Sequence, residues 1–181
     1  MITIFGSLTV VPALSRPELL SDPTRTFLSG LANAEDFGVA EIDPSFSDTA
    51  AFCKKYQIRP DQVANCVIVK ASRGEKVTYA ACMILGSSRA DVNGFIRRHL
   101  DARKASFAPM DEAVSLTKME CGGITPVGVP SGWPILIDRA VADSAAVIIG
   151  SGIRGSKIVL SGNALASLPG AFVSDGIAVV Q

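Results

Sequence analysis

An α+β fold with a mixed, barrel-like sheet is what this sequence predicts, and three observations predict it. Short apolar runs of strand length are mixed with amphipathic runs of helix length along the chain. Two strand pairs are joined by short turn sequences, Ser72-Arg73-Gly74-Glu75 and Gly150–Gly155, and so read as hairpins. No repeat, low-complexity stretch or linker interrupts them. The 181 residues therefore read as one domain, 1–181, large enough to bury a core.

In chain order, Ile2–Ile4 is a short strand. Asp22-Pro23 is an N-cap followed by proline at the first helical position, and it opens a helix to about Leu31. Val39–Ile42 is a strand stopped by Asp43-Pro44. Ser47 or Asp48 caps a helix over Thr49–Tyr56, with Ala51 and Phe52 turned inward and Lys54 and Lys55 near the end that favours cations. Val63–Ala71 is the clearest strand. Asn65, Val67 and Val69 share one face and Cys66, Ile68 and Lys70 the other; both faces are largely apolar, which marks a central strand. Lys76–Leu85 returns antiparallel and ends at Gly86-Ser87-Ser88. Asp91 caps a helix over Val92–Leu100, with Val92, Phe95, Ile96 and Leu100 at helical spacing. Ala105–Ala108 is a short strand, and Asp111 caps a helix to about Met119. Then comes Cys121–Pro134, in which seven of fourteen residues are glycine or proline. It is neither helix nor strand but a stiff loop, a natural place for backbone N–H groups to face a ligand. Ile135–Ile137, Ala145–Ile149 and Lys157–Leu160 are strands, Asn163–Leu168 is a short helix, and Phe172–Val173 with Ile177–Val180 close the sheet.

Composition narrows the function classes. The chain is 48% hydrophobic and 19% charged, with a formal net charge of zero. That is an ordinary globular composition, and it argues against a general nucleic-acid coat while permitting a local basic patch. The N-terminus lacks the basic start and cleavage site of a signal peptide, and no apolar run is long enough to span a membrane. Cys53, Cys66, Cys82 and Cys121 have no CxxC spacing and only His99 to join them, which argues against zinc; reduced thiols suit a cytoplasmic protein.

Several constellations could carry chemistry. Gly150-Ser-Gly152-Ile-Arg-Gly155 matches the G-x-G-x-x-G letters of dinucleotide binding, but the β-branched run Ser156–Leu160 follows where a helix should. A hairpin turn is the better reading, and such a turn still places backbone N–H groups and Ser151 beside a pocket. A serine triad lacks a positioned base, because the single histidine, His99, sits in a solvated Arg97-Arg98-His99 run. Arg97, Arg98, Arg103 and Lys104 are either a solvated helix face or a phosphate-contact patch. Asn65 is the odd residue in an apolar strand; it is either a satisfied core amide or a site residue.

Three segments in order carry a family resemblance: Gln62–Val69, then Gly122-Gly123-Ile-Thr125-Pro126-Val-Gly128-Val-Pro130, then an apolar strand ending in Asp138 and the Gly150–Ile158 turn. They resemble the YbaK/EbsC family of prolyl-tRNA editing domains. The resemblance covers about residues 49–180, leaving 1–45 as an N-terminal extension packed on the domain. It implies a mixed, barrel-like sheet surrounded by helices. It also implies hydrolysis of the ester on mischarged tRNA, with tRNA(Pro) as the expected tRNA, its acceptor end as the partner, and no metal, cofactor or membrane. With no room for a synthetase body, the chain is expected to act in trans as a free-standing deacylase.

The site residues implied are Gly122, Gly123, Thr125, Pro126 and Gly128 as the catalytic loop, with Asn65 positioning the ester or terminal phosphate. Ser151, Gly152 and Lys157 line the pocket and Asp138 orients the neighbouring loop. Arg97, Arg98 and Lys104 are the expected contacts along the acceptor stem. The sequence departs from the family at Asn65, where the pattern Lys-Thr-Leu-Val-Val has its lysine. Gln57 also replaces the glycine that commonly ends the preceding helix. The first departure leaves a second function open, a catalytically silent module that binds aminoacyl-tRNA or a nucleotide.

Overall fold

The computed structural model describes residues 3–180. Strand β1 (Thr3–Phe5) turns into β2 (Leu8–Pro12), and helix α1 (Asp22–Ser29) precedes β3 (Gly38–Glu41). The cap of α1 is Ser21 rather than Asp22; its Oγ accepts from the Thr24 N–H, and Pro23 takes the first turn. Helix α2 (Thr49–Tyr56) is capped by Asp48, whose carboxylate accepts from the Ala50 and Ala51 N–H groups at 3.0 and 3.3 Å. It ends at Gln57 in the left-handed conformation, φ 57°. This left-handed position after a helix is one that glycine usually fills, the residue the resemblance leads one to expect there.

Strands β4 (Ala64–Arg73) and β5 (Lys76–Leu85) form the long hairpin, in register from Ala64↔Leu85 to Arg73↔Lys76. A short strand β6 (Ser88–Ala90) follows. The expected helix from Val92 is instead a π-helical turn, Val92–Ile96, running into one α-helical turn α3 (Arg97–His99). Asp91 explains the wide turn: its carboxylate accepts from both Gly94 and Phe95 N–H groups, at 3.1 and 2.7 Å. The remaining elements are β7 (Lys104–Phe107), α4 (Met110–Thr117), β8 (Ile135–Asp138), α5 (Arg139–Ala142), β9 (Val147–Gly150), β10 (Ser156–Leu160), α6 (Gly162–Ala166), β11 (Ala171–Ser174) and β12 (Ala178–Val180). The Gly150–Gly155 turn joins the antiparallel pair β9 and β10, as a hairpin and not a nucleotide-binding strand–helix turn.

The strands make two five-stranded sheets, ordered β1-β2-β3-β10-β9 and β11-β8-β5-β4-β7, and a two-stranded ribbon of β12 and β6. The first sheet is antiparallel, while the second has parallel pairs at β8. The α+β class and the mixed sheet are as expected, but the barrel is not. Closure needs the terminal strands to pair back on one another. Here both sheets stay open, and Val63, just before β4, makes a single isolated bridge to Ile148 of β9. Beyond that bridge the first half of β4 lies on the wall of a cavity.

Alternation builds the layers. Ile68, Met83, Ile137, Ile149 and Ile158 point between the two sheets with Leu28, Phe37 and Leu165. Phe52 and Cys53 of α2 pack with Val10, Ala40 and Ile148 on the outer face of the first sheet. Val69, Cys82, Ile84 and Leu136 face the other way, against Val92 and Ile96. Each such side chain, fully buried, contributes about 1.5–3 kcal/mol. Strand β4 is thus buried on both faces and central, and its register fixes what reaches the seam between the sheets.

Candidate active site

A cavity of about 310 Å³ lies at that seam. Its walls are the start of α2 (Ser47, Asp48, Thr49), the first half of β4 (Asn65, Cys66, Val67), Met110, the glycine loop (Gly122, Ile124), and β9 and β10 (Ile149, Gly150, Lys157). The reason for an opening here is backbone alternation. The Ile68 carbonyl accepts from the Ala108 N–H at 2.8 Å, on the side away from β5. Two residues earlier, Cys66 turns its N–H and C=O the same way, where β7 no longer runs. A stretch of unpaired strand edge therefore faces the cavity.

Two polar side chains enter from opposite walls. Asn65 Oδ1 accepts from Thr49 Oγ1 at 2.9 Å, which turns the amide nitrogen into the donor left for a ligand. Lys157 is only 7% exposed. Its Nζ donates to the Ser47 carbonyl at 3.3 Å and lies 5.6 Å from the centre of the Phe52 ring. Burial first, and then the Arg154 guanidinium, push its pKa down to about 8, against the pull of Asp48 and Cys53. Burial also pushes the Cys66 thiol well above its usual range, so this cavity cysteine stays protonated and is no nucleophile.

The loop is held by backbone packing. A Cβ on Gly123 would sit 2.5 Å from the Ile153 carbonyl oxygen, so only glycine lets loop and turn meet here. The Gly123 carbonyl accepts from the Gly152 N–H at 2.7 Å, and the Gly152 carbonyl accepts from the Glu120 N–H at 2.9 Å. Gly122 has φ +84°, and its would-be Cβ is 3.2 Å from Ser47 Oγ. The Gly122 and Ile124 N–H groups donate to no partner among the described residues.

Of the residues singled out in the sequence, Asn65, Gly122 and Lys157 converge on the cavity. Gly123 and Gly152 lock the loop to the turn behind it, Gly152 packing on Ser21 and Thr24. Thr125 is fully buried and turned away, its N–H on Met119 Sδ at 3.5 Å. Pro126 and Gly128 line a different, apolar cleft with Phe27 and Trp133. Ser151 is buried inside the turn, its Oγ 2.7 Å from Ser156 Oγ. Asp138 caps α5 and accepts from the Ala178 N–H at 2.9 Å, tying β12 to β8, and does not line the cavity. Arg97 and Lys104 line a separate basic groove with Lys70 and Arg103, and Arg98 lies outside it. His99 stacks on Phe95 and Phe172.

Sequence reasoning passed over Arg154. Its N–H donates to the Glu120 carboxylate at 2.7 Å, and its guanidinium reaches the Pro44 carbonyl at 3.4 Å over the rim at Gly122. The signal was present, since Arg154 is the one cation inside the glycine-rich turn. Thr49 was missed as well, because nothing in sequence ties it to Asn65.

Among the described residues no group of three or more His, Cys, Asp or Glu side chains is placed to hold a metal ion, and no helix is long and apolar enough to cross a membrane. The fold matches solved structures closely. Hypothetical protein APE2540 has a TM-score of 0.76 at 19% identity, covering 87% of this chain and 100% of that one. A proposed trans-editing enzyme for prolyl tRNA synthetase has a TM-score of 0.71 at 21% identity, covering 86% and 97%. At these identities the likeness speaks for the fold. The family model of the aminoacyl-tRNA editing domain matches residues 43–168, which takes in the start of α2, β4, the glycine loop and the Gly150–Gly155 turn. With the cavity built from those same segments, the chain belongs to the aminoacyl-tRNA editing domain family, the YbaK/EbsC family that its motifs resemble.

Proposed function

We propose that this chain is a trans-editing aminoacyl-tRNA deacylase that hydrolyses the ester of mischarged tRNA, with tRNA(Pro) as its tRNA. The observation that carries the reading is the convergence, in one small cavity, of the Asn65 amide, the Gly122 loop and the buried Lys157 amine. Kinship with a fold described as a trans-editing enzyme for prolyl tRNA synthetase supports the choice of tRNA.

The reaction adds water to the ester carbonyl, breaks the bond from the carbonyl carbon to the ribose oxygen, and leaves a free amino acid and a ribose hydroxyl. Negative charge develops on the carbonyl oxygen, then on the departing ribose oxygen. The unpaired Gly122 and Ile124 N–H groups supply preorganised donors for the first. The Lys157 ammonium supplies charge and a proton for the second. A pKa of about 8 leaves it mostly protonated at neutral pH yet able to give up a proton. Asn65 Nδ2 orients the terminal ribose or phosphate from the opposite wall. A volume of about 310 Å³ is at the small end for ligand pockets, which run to ~300–1,000 Å³. It suits a small acyl group such as alanine, serine, threonine or cysteine.

The test is a deacylation panel with tRNA(Pro) charged with each of those four amino acids. Hydrolysis well above the spontaneous rate for at least one is expected; background rates throughout would sink the reading. One observation favours a second function, a binding module without catalysis: the strand carries Asn65 where the family has lysine, and that amide is already tied to Thr49. Tight binding of aminoacyl-tRNA with no hydrolysis in the same panel would select it.

A further inference from the structure

The basic groove is a built surface that the hydrolysis does not use. It has a volume of about 640 Å³ and runs along β7, the edge strand of the second sheet. Lys70, Arg97, Arg103 and Lys104 line it, and no carboxylate does. Two neighbouring carboxylates are already engaged: Glu112 holds Lys70 at 2.8 Å, and Asp101 holds Arg73 at 2.7 Å. Arg103 and Lys104 are exposed and form no ion pair among the described residues. In a chain of zero net charge, this concentration of one sign is a local field suited to phosphate.

The groove is joined to the cavity along β4, which lends Lys70 and Ser72 to the one and Asn65 to Val67 to the other, and along the segment that leaves β7. Lys104, Ala105 and Ser106 lie in the groove, and Met110 lies in the cavity wall. Between them stands Phe107. It is 57% exposed and Met110 is 52% exposed, the two most exposed large apolar side chains among the described residues. Ser106 to Met110 spans at most ~14 Å, the reach of a few nucleotides. Cations that follow a backbone, with an exposed ring beside them, are the usual furniture of single-stranded RNA binding.

We infer that this strip holds the single-stranded 3′ end of an RNA. Its phosphates run along Arg97, Arg103 and Lys104, and a base rests on Phe107 and Met110. The terminal ribose then reaches the Gly122 cavity. The inference rests on the deacylase reading, and its test separates the two. The doubly exposed pair Arg103→Glu/Lys104→Glu is compared with wild type by binding of an uncharged acceptor-stem RNA with a single-stranded 3′ tail, across a salt series. Both proteins are also assayed on mischarged tRNA and on aminoacyl-adenosine, which is too short to reach the groove. The expected result is RNA binding weakened about 10- to 100-fold and a log–log salt slope reduced by about 1–2. KM for the tRNA rises, and hydrolysis of aminoacyl-adenosine is unchanged. Phe107→Ala, which leaves the charge alone, weakens RNA binding about tenfold with an unaltered salt slope. If the pair weakens RNA binding while neither protein hydrolyses anything, the groove stands and the deacylase reading falls. Wild-type RNA binding by the pair, or an equal loss on both substrates, overturns the inference.

Discussion

Replacing Lys157 by methionine should make the protein more stable at neutral pH and less active at once. In the native state its ammonium is held among apolar groups at 7% exposure, and its pKa falls from 10.5 to about 8. At ~1.36 kcal/mol per pH unit that fall corresponds to about 3 kcal/mol. The sign follows from proton counts. Below pH 8 both states hold the proton, and the native state bears the full cost of a buried charge. Between about pH 8 and 10.5 the native amine is neutral while the unfolded one is still charged. The unfolded state then binds more protons, and wild-type stability rises with pH through that window. Methionine has similar bulk and no charge, but it forfeits the bond to the Ser47 carbonyl, which contributes about 1 kcal/mol. The variant should therefore gain about 2 kcal/mol at pH 7 and fall slightly below wild type by pH 10.5. Urea unfolding of both proteins at pH 7, 8.5 and 10 measures the difference directly. A difference that does not change with pH would refute the buried-charge argument. A variant that is stabilised yet deacylates at the wild-type rate would refute the role of Lys157 in the site.

Other expectations concern the loop and the opposite wall. Gly122→Val puts a β-branched residue at φ +84° and a side chain against Ser47, so kcat/KM for deacylation should fall at least 100-fold while binding of uncharged tRNA is retained. Gly123→Ala forces a Cβ against the Ile153 backbone; a cost of about 2 kcal/mol should appear in a thermal melt as a Tm lower by roughly 5 °C. Asn65→Lys alone crowds two cations into one cavity and should lower stability by on the order of 1–2 kcal/mol. Combining it with Lys157→Met should restore that loss and part of the activity; a double variant no better than either single one would show that the charge cannot be moved between the walls.

What could be read in the sequence follows the range of the interactions. The β4–β5 hairpin is local: alternation over Val63–Ala71 and the turn at Gly74 are enough to specify it, and the register bears this out. Helix α2 is equally local, with Asp48, the inward Phe52 and the basic final turn all in one stretch. Strand β2 was not foreseen, since its place depends on β3, with Val11 facing Val39, 28 positions further along the chain. The same holds for β6, a polar three-residue piece that is a strand only because Val179 lies opposite Arg89. Closure of the sheet is the most distant property of all, and there the expectation failed. Within the site, glycine spacing and motif order pointed to Asn65, Gly122 and Lys157. Thr125 and Ser151 also carry hydroxyls in loop sequence, yet both are buried, the Thr125 N–H on Met119 Sδ and the Ser151 hydroxyl on Ser156 Oγ.

The open seam also gives the departure at Asn65 a physical sense. Had the sheet closed, β4 would be paired along its whole outer edge, and a charge for the ester could come only from a side chain on that strand. Because the chain bridges β9 once at Val63, before β4 begins, the cavity has two walls, one from each sheet. A cation can enter from either. On the proposed reading β10 supplies it: Lys157 is paired with Gly150 across the hairpin and with Ala40 on the other side, so its backbone is fixed by two ladders. A lysine held that way loses little further freedom when it meets a ligand. Asn65, tied by Thr49, is then free to act as a neutral donor on the facing wall. A neutral group there also spares Lys157 a second buried cation, which would depress its pKa further and take it out of the protonated state at neutral pH. On this argument the asparagine and the buried lysine are one arrangement, and neither residue is to be judged without the other.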